Sequence, residues 1–211
     1  MTPYEQNGID FLKKIEYLVK RKDLKTKDSL FKVLDRIRLR KGFHLQLKVA
    51  NQVGLGDESF FYTYYGEEDP FKEDLLNNSI HSASTEILKR LVVEPTAMGA
   101  WQVYLFIISP TVLPLFWHGG YIRREYFFDR EHFECPISMW EERPINLTLE
   151  MIPQPSVTVE DNKAIVSCPY WNNWEGLVLE STPVVFKADG GISVRRAKHK
   201  VLYKYHCGLC Y

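Results

Sequence analysis

The chain has 211 residues and a mass of 24.8 kDa, enough for one domain to bury a core without disulfides or metal ions. Hydrophobic residues make up 45%, aromatic residues 14% and charged residues 26%, a composition that excludes a disordered chain, a coiled coil and a collagen-like fibre. The 27 basic and 27 acidic residues cancel, so net charge attracts neither nucleic acid nor an anionic membrane. We therefore expect neither of these among the partners.

The start of the chain and its cysteine content predict a cytoplasmic protein. Charged residues recur every few positions from Glu5 onward, whereas a secretory signal needs an uninterrupted apolar run. Four cysteines in a chain of this length are too few for a disulfide scaffold. We expect the thiols to be reduced.

The basic N-terminal segment shows the spacing of helices. Thr2 and Glu5 form a capping-box pattern around Pro3, and apolar residues follow at helical spacing from Ile9 to Val19. A second helix is predicted from Thr26 or Asp28 to Gly42. Its buried stripe consists of Leu30, Val33, Leu34 and Ile37. Together the two segments predict a helical hairpin.

The periodicity changes after Gly42. Residues 43–49 alternate apolar and polar side chains, which predicts a half-buried strand, and residues 60–65 predict an aromatic strand. A short helix is predicted from Asp69–Pro70 to Leu76. Another is predicted after Ser82 or Ser84, with Ile87, Leu88 and Leu91 on its apolar face.

Residues 95–122 contain no charged side chain, a length that would suit a membrane span. Pro110 and Pro114 disfavour a membrane helix, because lipid cannot replace the hydrogen bonds that proline removes. The β-branched and aromatic composition predicts two buried strands instead, at 101–108 and 112–117.

The second half of the chain is predicted to be mostly strand. Strands are expected at 121–128, 146–151 and 201–206, and two hairpins join 156–159 to 164–167 and 184–186 to 192–194. The predicted class is therefore α+β, with an N-terminal helical hairpin packed on a mainly antiparallel sheet and a C-terminal β-meander. We expect a single domain over residues 1–211. The alternative is an internal boundary near 153–155.

An enzymatic site is predicted as one alternative around residues 118–132. On a strand from Tyr121, Arg123 and Glu125 share a face, and His118 and His132 flank it. An arginine, an acid and two histidines are residue types suited to acid–base hydrolysis. The other reading of these charges is the solvated face of a strand.

The end of the chain carries the pattern His206-Cys207-x-x-Cys210. Two residues between cysteines allow both sulfurs to reach one zinc ion, but a structural zinc site usually has a second close pair, which this chain lacks. We expect no metal and no other cofactor, and we keep zinc on His206, Cys207 and Cys210 as the alternative.

Charge is distributed unevenly, which bears on function. By count from the sequence, residues 1–50 carry 13 Lys or Arg and 6 Asp or Glu, whereas residues 51–150 carry 7 and 16. The two regions either face each other within one domain or one of them meets a partner. The hypothesised contact surface is acidic and aromatic and consists of Glu67, Glu68, Asp69, Glu73, Asp74, Tyr62 and Tyr64.

The leading functional hypothesis is therefore a macromolecule-binding protein that is not an enzyme. It would use this surface to bind a protein partner, and a basic partner fits its charge. An inhibitor or immunity-type protein that neutralises a basic enzyme has these features. The alternative is the hydrolase with His118, Arg123, Glu125 and His132. No motif is specific enough to indicate a family, and the sequence leaves the oligomeric state open.

Overall fold

A computed structural model describes residues 1–21, 29–52, 56–66, 87–112, 124–130 and 146–205, and the fold is α+β with antiparallel sheets, as predicted. The elements, in chain order, are α1 (Pro3–Arg21), β1 (Ile37–Leu39), β2 (Phe43–Gln52), β3 (Gly56–Tyr65), β4 (Leu91–Val93), α2 (Ala97–Val112), β5 (Glu125–Tyr126), a 3₁₀ helix (Leu149–Met151), β6 (Ser156–Glu160), β7 (Lys163–Asn172), β8 (Gly176–Phe186), β9 (Ile192–Val194) and β10 (Lys198–Lys204).

Helix α1 begins with the predicted capping box. The Thr2 backbone N–H donates to Glu5 Oε2 at 2.6 Å, and the Glu5 N–H donates to Thr2 Oγ1 at 3.2 Å. These two bonds satisfy N–H groups that have no partner within the helix. The apolar stripe of α1, including Phe11, Ile15 and Leu18, faces the core.

The second predicted helix is wrong for the described residues 30–41. Residues 30–36 form turns, and Ile37–Leu39 forms β1, which pairs antiparallel with β4. Leu30, Leu34 and Ile37 are nevertheless buried as predicted. The overlooked signal is the alternation of Arg36, Arg38 and Arg40 with apolar residues, which has the period of a strand.

The strands predicted at 43–49 and 60–65 are β2 and β3, and the two pair antiparallel, with Phe43 opposite Tyr65 and Gln52 opposite Gly56. Leu45 and Phe61 face the core, where the Phe61 ring stacks on Phe106 of α2 with 6.0 Å between ring centroids. The helix predicted over 69–76 lies outside the described residues. Residues 87–89 are helical, but Leu91, predicted on the same helix, begins β4.

The strand predicted at 101–108 is wrong, because this segment lies within α2. A helix that is buried on all sides has no polar stripe, so periodicity does not distinguish it from buried strands. Ser109 Oγ donates to the Phe106 carbonyl at 2.7 Å, the group that Pro110 leaves without its usual backbone donor. The burial expected for this segment is confirmed over 100–109, where all residues except Ile107 are buried. Most of the second predicted strand, 112–117, lies outside the described residues.

The region before residue 153 is less extended than predicted. Of the strand expected at 121–128, the described part contains β5, where Glu125 and Tyr126 pair with Trp171 and Tyr170. The strand expected at 146–151 is wrong. A 3₁₀ helix occupies its second half, closed by bonds from the Met151 and Ile152 N–H groups to the Thr148 and Leu149 carbonyls at 3.1 Å.

After residue 153 the prediction of antiparallel strands is confirmed. Both hairpins form, β6–β7 and β8–β9, and the order of the large sheet is β10-β8-β7-β5, with β6 also on β7 and β9 also on β8. The strand predicted at 201–206 is β10, which begins earlier, at Lys198.

One cluster of buried residues joins the helices to the large sheet, from Phe11 in α1 through Trp101 in α2 to Val184 in β8. We call the sheet face that contributes Val184 the inner face. A smaller cluster around Trp171 and Leu177 covers one end of the opposite, outer face. Within the described residues, no helix has the length and apolar character needed to cross a membrane.

Candidate functional site

A buried carboxylate, Glu180 of β8, holds together three parts of the large sheet. Its Oε2 atom accepts a hydrogen bond from Arg124 Nη1 at 2.8 Å and lies 2.9 Å from His199 Nε2. The Glu180 side chain is 6% exposed, whereas those of Arg124 and His199 are 26% and 36% exposed. A buried charge must be paired to be tolerated, and these two partners supply the pairing.

Strand pairing explains why these groups meet. Glu180 lies opposite Cys168 of β7 on one side and His199 of β10 on the other, so the three side chains share the inner face. Arg124 directly precedes β5, and its guanidinium lies 4.6 Å from the centroid of the Tyr170 ring. The sheet thus positions a charged cluster of Arg124, Glu180 and His199, which we call the Glu180 cluster.

Burial controls the protonation of the groups near this cluster. Burial raises the pKa of the Cys168 thiol and of Tyr104 well above their ordinary values, and it raises the pKa of Tyr170 to about 12. Burial alone would lower the pKa of Arg124, but contacts with Tyr126 and Glu180 raise it overall. Near neutral pH, Cys168 is therefore a protonated thiol rather than a nucleophile.

A carboxylate bonded to a histidine is the orienting half of many acid–base sites. The described residues place no reactive hydroxyl or thiolate beside His199. The hydroxyls of Ser167 and Ser181, 3.1 Å apart, alternate along their strands with Cys168 and Glu180 and so lie on the outer face. The arrangement cross-links the sheet, and it carries no complete catalytic set among the described residues.

Of the four predicted hydrolase residues, only Glu125 lies within the described part of the chain. His118, Arg123 and His132 lie outside the described residues, and Glu125 is exposed on β5. In this segment Arg124, rather than Glu125, contacts a charged partner, Glu180. Because side chains alternate between the two faces of a strand, Arg124 lies on the face opposite to Glu125. A sequence signal for the cluster did exist, because Glu180 is the only acid in the apolar strand β8.

A second arrangement, the aromatic platform, consists of Phe43, Tyr65 and Arg90. The Tyr65 ring is edge-on to Phe43 at 5.1 Å between ring centroids, and the Arg90 guanidinium lies 4.5 Å from the centroid of the Phe43 ring. Tyr65 is 71% exposed, the largest exposed fraction among the big hydrophobic side chains that the structure describes.

Backbone hydrogen bonds fix the chain on both sides of the platform. The Gly66 N–H donates to the Gly42 carbonyl at 3.1 Å, one residue beyond the last β2–β3 pair, and the Arg40 N–H donates to the Arg90 carbonyl at 2.8 Å. Gly42 has φ +83°, and a Cβ there would lie 2.6 Å from Tyr65 Cε2. Glycine thus provides both the backbone conformation and the space for the Tyr65 ring.

The residues of the hypothesised acidic and aromatic surface fall into two groups. Glu67, Glu68, Asp69, Glu73 and Asp74 lie outside the described residues, so their role stays a prediction. Tyr62 and Tyr64 lie on β3 but are only 6% and 8% exposed. The exposed tyrosine of that strand is its last residue, Tyr65, which directly precedes Gly66 and the acidic run.

Some of the N-terminal basic residues pair with acids inside the molecule. Arg36 Nη1 lies 3.0 Å from Glu94 Oε2, and Arg40 Nη2 lies 2.8 Å from Asp189 Oδ2. Because these side chains are 35–61% exposed, each pair contributes about 0–1 kcal/mol. The Arg36–Glu94 pair joins the basic region to residues 51–150, as expected if these two regions face each other, whereas Asp189 lies outside the acidic region.

The expectation of no metal and its alternative, zinc on His206, Cys207 and Cys210, both stay predictions, because these three residues lie outside the described residues. Within the part that is described, no three His, Cys, Asp or Glu side chains are grouped so that they could hold a metal ion.

Comparison of the chain with models of protein families, with curated proteins and with solved structures finds no match.

Proposed function

We propose that this protein acts by binding another protein, and that the aromatic platform of Phe43, Tyr65 and Arg90 is the centre of the contact. The observation that carries the proposal is that Tyr65 is 71% exposed and yet held between a neighbouring ring and a glycine. A rigid exposed tyrosine supplies contact area without the entropy cost of ordering a flexible side chain.

The composition of the platform supports the same conclusion. Tyrosine and arginine are enriched among the residues that dominate binding energy at protein interfaces, and aromatic residues are enriched at such interfaces generally. The acidic residues Glu67, Glu68 and Asp69 follow Tyr65 closely in the chain. Acids at the rim of an aromatic contact favour a basic partner and accelerate its association. An inhibitor or immunity-type role fits this chemistry.

Site-specific photo-crosslinking in the native host tests the proposal. A benzophenone amino acid placed at Tyr65 should give a discrete adduct with one partner protein. The matched control places it at Tyr17, which is 42% exposed on α1. An adduct at both positions, or none at position 65, would contradict a specific contact there.

Gly42→Ala provides a second, structural test. The added methyl group must displace the Tyr65 ring, and the positive φ costs an alanine about 1 kcal/mol. We expect the adduct at position 65 to be lost while the protein stays folded, as measured by circular dichroism. A full yield of adduct from this variant would show that the position of the ring is irrelevant.

A further inference from the structure

The last strand of the large sheet carries a concentrated positive charge. Residues 195–204 contain five Lys or Arg residues and no Asp or Glu. We call the five residues the basic strand; they are Arg195, Arg196, Lys198, Lys200 and Lys204. All five are exposed.

These cations differ from three arginines elsewhere in the fold. Arg36, Arg40 and Arg124 each have a carboxylate partner within 3.0 Å. In the part of the chain that the structure describes, the basic strand forms no ion pair with an acidic side chain, and its charge is not neutralised there. It is therefore available to an anionic ligand.

The neighbouring strands add hydroxyl groups to this charge. Lys198 lies opposite Ser181 of β8, Ser181 lies opposite Ser167 of β7, and Ser167 lies opposite Ser156 of β6. Opposed residues share a sheet face, so one lysine and three serines form a row across four strands on the outer face. Lys200, two residues along β10, lies on the same face.

The residue types favour phosphate over a protein ligand. Lysine and serine are depleted at protein–protein interfaces. Phosphate oxygens of nucleic acids, in contrast, commonly accept hydrogen bonds from arginine, lysine and small hydroxyl side chains. Five cations within ten residues thus favour a ligand that carries a row of phosphate groups.

Two features of β10 disfavour an added peptide strand and a single-stranded nucleic acid as the ligand. Its register shifts between Val201 and Tyr203, a bulge that, with the lysines, opposes the addition of another strand at this edge. Tyr203 packs on Trp171 with 6.4 Å between ring centroids, and its hydroxyl accepts the Asn146 N–H at 3.4 Å. It is therefore not free to stack on bases, as recognition of single strands generally requires.

We infer that Lys198 and Lys200, with the preceding Arg195 and Arg196 and the serine row, form a surface that binds the phosphate backbone of double-stranded nucleic acid. The inference goes beyond the proposed protein contact and uses none of the residues of the aromatic platform. It also departs from the expectation based on net charge. A ligand responds to the charges within about 8 Å at physiological salt rather than to the sum over the whole chain.

Fluorescence anisotropy of the full chain with a labelled 20-base-pair DNA duplex tests this inference between 50 and 200 mM salt. Lys204 lies opposite Gly176 on the inner face, so if the other four cations each neutralise one phosphate, the slope of log K against log salt is about −3.6. The variant Lys198→Ala/Lys200→Ala should make the slope shallower by about 2. The matched control, Lys13→Ala/Lys32→Ala, removes the same charge from two exposed lysines elsewhere on the molecule and should leave the slope unchanged.

Several results would overturn the inference. One is a lack of duplex binding at 50 mM salt; another is an equal loss of binding in both double variants, which would indicate an effect of net charge alone. Tighter binding of the single strand, or of polyglutamate, would assign the surface to a different ligand. Tyr65→Ala should bind the duplex normally, which separates this test from that of the proposed function. Both double variants should melt at the wild-type temperature, because the altered lysines are at the surface.

Discussion

Glu180 shows how a single buried group organises this sheet. Its carboxylate bonds to Arg124 before β5 and to His199 on β10, so residues distant in the chain share one charge centre. The cost of burying the carboxylate is offset only while both partners are present.

Replacing Glu180 by Ala should therefore destabilise the protein markedly. A fully buried pair that loses one member costs roughly 3–5 kcal/mol, and we expect about 2–3 kcal/mol here because Arg124 is 26% exposed. The measurement is the free energy of unfolding in urea. Glu94→Ala, at the exposed pair with Arg36, is the control and should cost less than about 1 kcal/mol. Equal losses in the two variants would show that burial of Glu180 has no special role.

The raised pKa of Tyr170 predicts how the free energy of unfolding changes at high pH. Its pKa is raised to about 12, mainly by burial, so the folded state favours the protonated phenol. This contribution is fully present below the ordinary pKa of about 10 and is lost as the pH rises through about 12. Tyr170→Phe should accordingly lose less stability than the wild type between pH 10 and 12, as measured by urea denaturation. Parallel curves for the two proteins would contradict the assigned shift.

Helix α2 shows at the element scale what the sequence could and could not predict. The capping box of α1, the strands β2 and β3 and both C-terminal hairpins were predictable because local periodicity and turn residues determine them. Helix α2 was not, because its burial on all sides removes the polar stripe that distinguishes a helix. The Glu180 cluster depends on pairing between distant strands, which no local pattern contains.

At Gly99 of α2, helix propensity and packing predict opposite effects of a substitution on stability. Alanine favours a helix over glycine by about 1 kcal/mol, so propensity alone predicts that Gly99→Ala stabilises the protein. A Cβ at this position would instead collide with the Glu94 carbonyl oxygen, a backbone atom that precedes the helix. We expect a loss of about 2 kcal/mol or more, measured by thermal unfolding. A gain in melting temperature would mean that the turn before α2 shifts at little cost to make room for the added methyl group.

At the scale of the whole molecule, a net charge of zero conceals an uneven distribution of charge along the chain. Some charges pair internally, as Arg36 does with Glu94. Others are concentrated without partners among the described residues, as on the basic strand. The acidic run after Tyr65 would add a negative surface beside the aromatic platform. The proposed protein contact and the proposed nucleic-acid surface use different parts of this distribution.

The acidic run should control the rate of association with a basic protein partner. Reversing Glu67 and Glu68 to Lys should slow association and weaken its dependence on salt, because long-range attraction acts on the encounter. Stopped-flow fluorescence with the partner identified by crosslinking measures both effects. The control is Glu160→Lys, an exposed acid at the β6–β7 turn. A normal association rate in the Glu67/Glu68 variant would remove these acids from the contact.

The affinity of the crosslinked partner for Tyr65→Ala, measured by isothermal titration calorimetry beside the melting temperature, tests the central claim most directly. A tyrosine at the centre of an interface contributes about 2 kcal/mol or more, so affinity should fall about 30-fold. The melting temperature should hardly change, because the side chain is 71% exposed. A variant that binds normally but melts several degrees lower would show that Tyr65 stabilises the fold and would contradict the account.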